Sequence, residues 1–147
     1  MSLGQECTVR NLLSGDGQAN DGRVTGKRVL IVEDEVLITT LIVDVLEDRG
    51  LVVVGPAATL AHALELAGSE RLDAAVLDVN LGTETSFPVA RLLRARGVPF
   101  FYTTAFANKV HPDIGDEAFL AKPYGIKQFL RTLEGILATG APPHRSE

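Results

Sequence analysis

Apolar runs of strand length recur along the chain at 28–32, 51–54, 74–77, 99–103 and 118–121, and each is followed by a segment able to form a helix. Two of those helices are sharply patterned. Residues 35–49 place Ile38, Leu41, Ile42, Val45 and Leu46 at helical spacing, and Gly50 supplies a left-handed turn at the end. Residues 126–137 repeat the device with Ile126, Phe129, Leu130, Leu133, Ile136 and Leu137. The alanine-rich stretch 59–67 has Thr59 as its N-cap and Gly68 as its stop. Ser86 caps a further helix running through Pro88, Val89, Leu92 and Leu93 to Gly97, with Pro88 tolerated in the first turn. Nearly continuous apolar strands alternating with helices need cover on both faces. The pattern predicts a doubly wound α/β domain built on a parallel sheet.

The two ends of the chain break this pattern. Residues 1–27 hold Gly15, Gly17, Gly22 and Gly26 among Ser, Asn and Asp, with one apolar pair, Leu12 and Leu13, and read as a flexible arm. Residues 139–147 read as a tail, which leaves 28–138 as one domain. At 147 residues the chain has room for a single buried core. Its formal net charge of −5, with no long basic run, excludes nucleic acid as the main partner. Cys7 stands alone and forms no internal disulfide. No apolar run is long enough to span a bilayer, and the N-terminus lacks the order of a secretory signal. A soluble cytoplasmic protein with no membrane contact is expected.

In doubly wound sheets, chemistry gathers at the carboxyl ends of the strands. Here those ends carry Glu33 and Asp34, then Asp78, then Thr103 and Thr104, then Lys122 and Pro123. Taken singly, each has an ordinary explanation: a strand-end Asp as a turn former, an acid pair at a helix start, a threonine in a strand. Together they set three carboxylates, a hydroxyl and an amine on one edge. Crowded carboxylates stay ionised comfortably only around a cation. Oxygen donors of this kind suit Mg²⁺, which keeps several waters and shares a phosphate. The conjunction points to a Mg²⁺ site that meets a phosphoryl group, with Lys122 and Thr104 able to reach its oxygens.

These residues resemble the receiver domains of two-component response regulators over about 28–137. The motifs that carry the resemblance are Ile31-Val32-Glu33-Asp34-Glu35, Val76-Leu77-Asp78-Val79-Asn80, Thr103-Thr104-Ala105 and Phe119-Leu120-Ala121-Lys122-Pro123. It implies the flavodoxin-like strand order 2-1-3-4-5. Asp78 then resembles the residue that takes a phosphoryl group from a sensor histidine kinase or histidine phosphotransfer protein. Asp34 and Asp78 resemble Mg²⁺ ligands, with the Asn80 backbone carbonyl as a third and Glu33 acting through water. Thr104 matches the switch hydroxyl, Ala105 the small position beside it, and Phe119 the switch aromatic. Lys122 matches the family's amine, and its bond to Pro123 is expected to be cis.

The departures are local. Four and eight residues after Asp78 the family often has Pro and Gly, where this chain has Gly82 and Ser86. The interval from Thr104 to Lys122 is short and contains Pro112 and Gly115, so at most about two turns of irregular helix are expected over 106–117. That segment is also expected to be the most mobile part of the domain. Too little chain follows Leu137 for a DNA-binding or catalytic module, so signalling through the domain's own surface is expected, toward an unidentified protein target or a second copy in a homodimer. Two rival readings are a pseudo-receiver that binds protein without phosphorylation and a haloacid dehalogenase-like phosphatase. The second needs an Asp pair spaced by two after the first strand, which Glu33-Asp34-Glu35 does not provide, so no enzyme activity is expected. Gly22 to Lys27 is one residue short of a phosphate-binding loop and precedes a strand instead of following one. His62, His111 and His144 lack metal-ligand spacing and read as solvated, as do Arg91, Arg94 and Arg96.

Overall fold

A computed structural model describes residues 24–105 and 119–140. The expectations for Cys7, His111 and His144, for the arm over 1–23, for the irregular helix over 106–117 and for the tail beyond Gly140 lie outside the described residues. Chain order gives β1 (Arg28–Val32), α1 (Val36–Asp48), β2 (Val52–Ala57), α2 (Leu60–Ser69), β3 (Ala74–Asp78), β4 (Asn80–Leu81), β5 (Glu84–Thr85), α3 (Phe87–Arg96), β6 (Phe100–Thr104), β7 (Phe119–Ala121) and α4 (Ile126–Thr139). The main sheet runs β2-β1-β3-β6-β7, with every neighbouring pair parallel. Setting aside the small β4–β5 hairpin, this is the flavodoxin-like order.

Alternation along the strands sends side chains into two cores. Leu30, Ala75, Leu77, Phe100 and Tyr102 meet α2 and α3 on one face. Val29, Ile31, Val76 and Phe101 meet α1 and α4 on the other, where Phe101 and Phe129 pack edge to face at 5.8 Å. β3, the central strand, is buried along its whole length. It therefore delivers Asp78 at its carboxyl end into a largely dry setting.

Several local expectations change. In α1 the buried positions are Thr39, Ile42 and Leu46, while Leu41 is 51% exposed. Thr39 tolerates burial because its hydroxyl donates to the Val36 carbonyl at 3.0 Å. Thr59 caps α2 by accepting the His62 N–H, yet the helix runs through Gly68 to Ser69. Arg96 supports the two further residues, because its guanidinium donates to the Ala67 carbonyl and, at 2.9 Å, to that of Glu70. Arg94 lies over the Phe100 ring at 5.5 Å. These two arginines are structural groups and not merely a solvated face. Ser86 stands at the N-cap of α3 but makes no side-chain cap bond, and Pro88 does lie in the first turn.

β2 extends beyond the predicted 51–54, through Gly55 and Pro56 to Ala57, with the Gly55–Pro56 bond cis. Gly55 has φ +99°, and a Cβ there would meet the Ala57 nitrogen at 2.9 Å. The resulting shift in register against β1 lets the Glu33 N–H reach the Ala57 carbonyl at 3.0 Å. Edge-strand irregularity thereby fixes the backbone where the first acid leaves the sheet. Among the described residues, no helix is long and apolar enough to cross a membrane.

Candidate functional site

The carboxyl edge of the sheet gathers the acids that sequence order placed at strand ends. Glu33 and Asp78 are buried, at 4% and 6% exposure, while Asp34 is exposed. One carboxylate oxygen from each lies within 4.8 Å of the others. Lys122 enters from the adjoining strand: its N–H donates to the Thr104 carbonyl at 2.8 Å, continuing the β6–β7 ladder. Its bond to Pro123 is cis, as expected. The ammonium then lies 3.2 Å from Glu33 Oε1, 3.1 Å from Glu35 Oε1 and 3.2 Å from Asp78 Oδ2.

Burial and crowding act together on these groups. Burial, reinforced by the Asp78 charge, pushes the Glu33 carboxyl up to about 7, and Lys122 opposes the rise. Asp78 is also raised by burial, against the pull of Lys122 and of the Asn80 N–H, which approaches Oδ1 at 3.4 Å. Burial alone would lower Lys122, but the charges of Asp78 and Glu33 outweigh it and hold the ammonium firmly protonated. Among the described residues, the edge thus shares one strong cation among more acids than it can neutralise.

The other predicted residues lie around this cluster. Asn80 begins the β4–β5 hairpin, pairing with Thr85, so the stretch after Asp78 is an ordered antiparallel turn. Leu81 anchors that turn in the core. Thr104 is buried at the end of β6. Phe119 is half-buried at the start of β7, opposite Tyr102. Thr103, not Thr104, pairs in register with Asp78, and its hydroxyl is buried without a hydrogen-bond partner among the described residues.

Two residues were given no role from sequence. Glu35 reaches Lys122, and its place in the acid run Glu33-Asp34-Glu35 was the available signal. Tyr124 stacks on Phe129 at 5.6 Å, with its hydroxyl buried. Burial, then the Glu33 charge, pushes that hydroxyl up to about 12. Its spacing two residues beyond Lys122 carried no distinctive signal.

Comparison with known proteins agrees with this geometry. Residues 29–134 match the response regulator receiver domain. The transcriptional regulatory protein PdtaR of Mycobacterium tuberculosis is 30% identical over 113 residues, covering 74% of this chain and 55% of PdtaR. The chain spans about half the length of this and other regulators that it matches. The polar-differentiation response regulator DivK of Brucella anthropi is 31% identical over 119 residues, covering 76% of this chain and 96% of DivK. Among solved structures, SdrG from Sphingomonas melonis Fr1 superposes with a TM-score of 0.66 at 38% identity, covering 80% of this chain and 98% of SdrG. The receiver domain of the sensor histidine kinase PA1611 from Pseudomonas aeruginosa, solved with a magnesium ion coordinated in its active site cleft, gives 0.67 at 28% identity, over 78% and 100% of the two chains. The chain belongs to the response regulator receiver domain family.

Proposed function

We propose that residues 28–138 form a cytoplasmic phosphorylation switch. In it Asp78 accepts a phosphoryl group from a histidine kinase or histidine phosphotransfer protein in a Mg²⁺-dependent reaction. The observation that carries the proposal is the convergence of Glu33, Asp34 and Asp78 oxygens within 4.8 Å, with Lys122 at 3.2 Å from Asp78. The donor set fits Mg²⁺: its atoms are hard oxygens, and one ammonium leaves the carboxylates under-neutralised. Asp34, Asp78 and the Asn80 carbonyl would hold the ion, with Glu33 acting through water. Bound there, Mg²⁺ supplies neutralising charge to the phosphoryl oxygens.

The chain's own residues do the rest. An Asp78 carboxylate oxygen attacks phosphorus in line, forming an O–P bond as the P–N bond to the donor imidazole breaks. The leaving nitrogen recovers a proton from solvent. Phosphoryl transfer needs positioning and charge stabilisation more than covalent help. Lys122 answers the charge on one phosphoryl oxygen and Thr104 donates its hydroxyl to another, with Ala105 leaving room. Drawing Thr104 inward frees space for Phe119, which carries the change toward a protein target. This is a signalling role and not turnover of a substrate.

Mass spectrometry after incubation with acetyl phosphate tests the reading. Wild type is expected to gain one phosphate only with Mg²⁺ present, and Asp78→Asn to gain none. Equal labelling of the two proteins would remove Asp78 as acceptor.

A further inference from the structure

Lys122 is shared by three acids, and one of them stands apart. An ammonium has three N–H donors. Two reach Glu33 and Asp78, whose side chains are 3% and 8% exposed. The third reaches Glu35, whose side chain is 58% exposed. The oxygens of Glu33 and Asp78 belong to the group that converges with Asp34, whereas those of Glu35 do not. Glu35 also occupies the N-cap of α1 with extended backbone, yet its side chain makes no cap bond. Among the described residues its carboxylate has one hydrogen-bond donor, Lys122.

These facts bear on where the ammonium rests. Drawn by Glu33 and Asp78 alone, it would settle between them, over the oxygens that a divalent cation needs. A third anion on the exposed side draws it outward. We infer that Glu35 is a positioning residue whose carboxylate holds the Lys122 ammonium at the outer rim of the acid cluster. There the ammonium still reaches Glu33 Oε1 at 3.2 Å, Glu33 Oε2 at 3.4 Å and Asp78 Oδ2 at 3.2 Å, but being shared with Glu35 it yields those oxygens more readily to a divalent cation. The inference rests on the acceptor-site reading above. An exposed ion pair has a modest effect, on the order of two- to five-fold, which salt reduces.

A double-mutant cycle on Mg²⁺ affinity tests it, read by titration calorimetry on the full chain. Glu35→Ala is expected to weaken Mg²⁺ binding about two- to five-fold when Lys122 is present. In the Lys122→Met background the same substitution has a clearly smaller effect, because no ammonium remains to move inward. An equal loss in both backgrounds would mean that Glu35 acts only as bulk charge, and overturns the inference while leaving the metal reading intact. Wild type that binds no Mg²⁺ overturns both. Should Lys122→Met not fold, hydrogen exchange at the Lys122 ammonium, followed by ¹H–¹⁵N spectroscopy, replaces the cycle. Faster exchange in Glu35→Ala than in wild type supports the inference, and identical exchange overturns it.

Discussion

The two edges of the sheet both carry ion networks, but their charge balance differs. At the amino edge Arg28 donates its backbone N–H to Asp73 at 2.8 Å. Its guanidinium reaches Glu70 and the Arg71 carbonyl, both at 2.7 Å. Arg71 in turn faces Asp73 at 3.6 Å. Two cations meet two anions there, all with water at hand. At the carboxyl edge, among the described residues, Lys122 alone faces Glu33, Glu35 and Asp78, with Asp34 beside them, and two of those acids are buried. A balanced, wet network costs little to build and does little beyond pinning β1 to β3. An unbalanced, buried one is costly until something completes it. Electrostatic tension, more than the presence of charge, separates the proposed phosphorylation edge from the other one.

The largest consequence is thermodynamic. Mg²⁺ bound to the native state is expected to raise stability by about 2.7 kcal/mol at a hundredfold excess over its dissociation constant. Thermal melts with and without Mg²⁺ measure this directly. Asp34→Ala is expected to lose the response, because one of the converging oxygens is gone, and to melt no lower than wild type in chelator. A full Mg²⁺ shift in Asp34→Ala would show that the ion sits elsewhere and that the carboxyl edge is not the strained one.

The carboxyl-edge half of this contrast was legible in the sequence, for a physical reason, whereas the amino-edge network was not. A parallel sheet covered on both faces writes its strands as short apolar runs, and chemistry at strand ends follows immediately in the chain. Glu33, Asp34, Asp78 and Lys122 could therefore be brought together from order alone. What escaped notice depends on contacts between distant residues. Glu35 meets Lys122 from 87 residues away. Arg96 holds the end of α2 from 29 residues away, overriding Gly68 as a stop signal. The extension of β2 through Gly55 and Pro56 defeats local propensity, because an edge strand tolerates a bulge and a missing donor. The β4–β5 hairpin is only two residues on each arm, too short to write a period of its own.

A pH series sharpens the comparison from the side of the proton. Folding raises Glu33 from its ordinary 4.5 to about 7, so without Mg²⁺ the folded chain holds a proton that the unfolded chain releases earlier. That contribution to stability is complete below about pH 4.5 and is lost as pH climbs through about 7. Mg²⁺ bound at the acid cluster would take over the role of the proton. Its stabilising shift is therefore expected to grow between about pH 5.5 and pH 8. Glu33→Gln should flatten this growth and stabilise the protein in chelator at the upper end. A Mg²⁺ shift in wild type that stays constant across the range would argue against a proton shared within the cluster.

The smallest expected effect lies at the other edge, and its smallness is the point. Glu70 meets Arg28 at 2.7 Å, but the two side chains are 38% and 25% exposed, so water already screens the pair. Arg28 keeps the Arg71 carbonyl as a partner, and its backbone N–H keeps Asp73, whatever happens at residue 70. Glu70→Gln is therefore expected to cost less than about 1 kcal/mol in urea denaturation, and less again at high salt. Its Mg²⁺ response should match wild type, because nothing at the amino edge supplies an oxygen to the acid cluster. A loss several times larger would mean that this network is strained as well. A change in the Mg²⁺ response would mean that β1 and β3 transmit charge at one edge to geometry at the other, and the two edges would then have to be treated as one device.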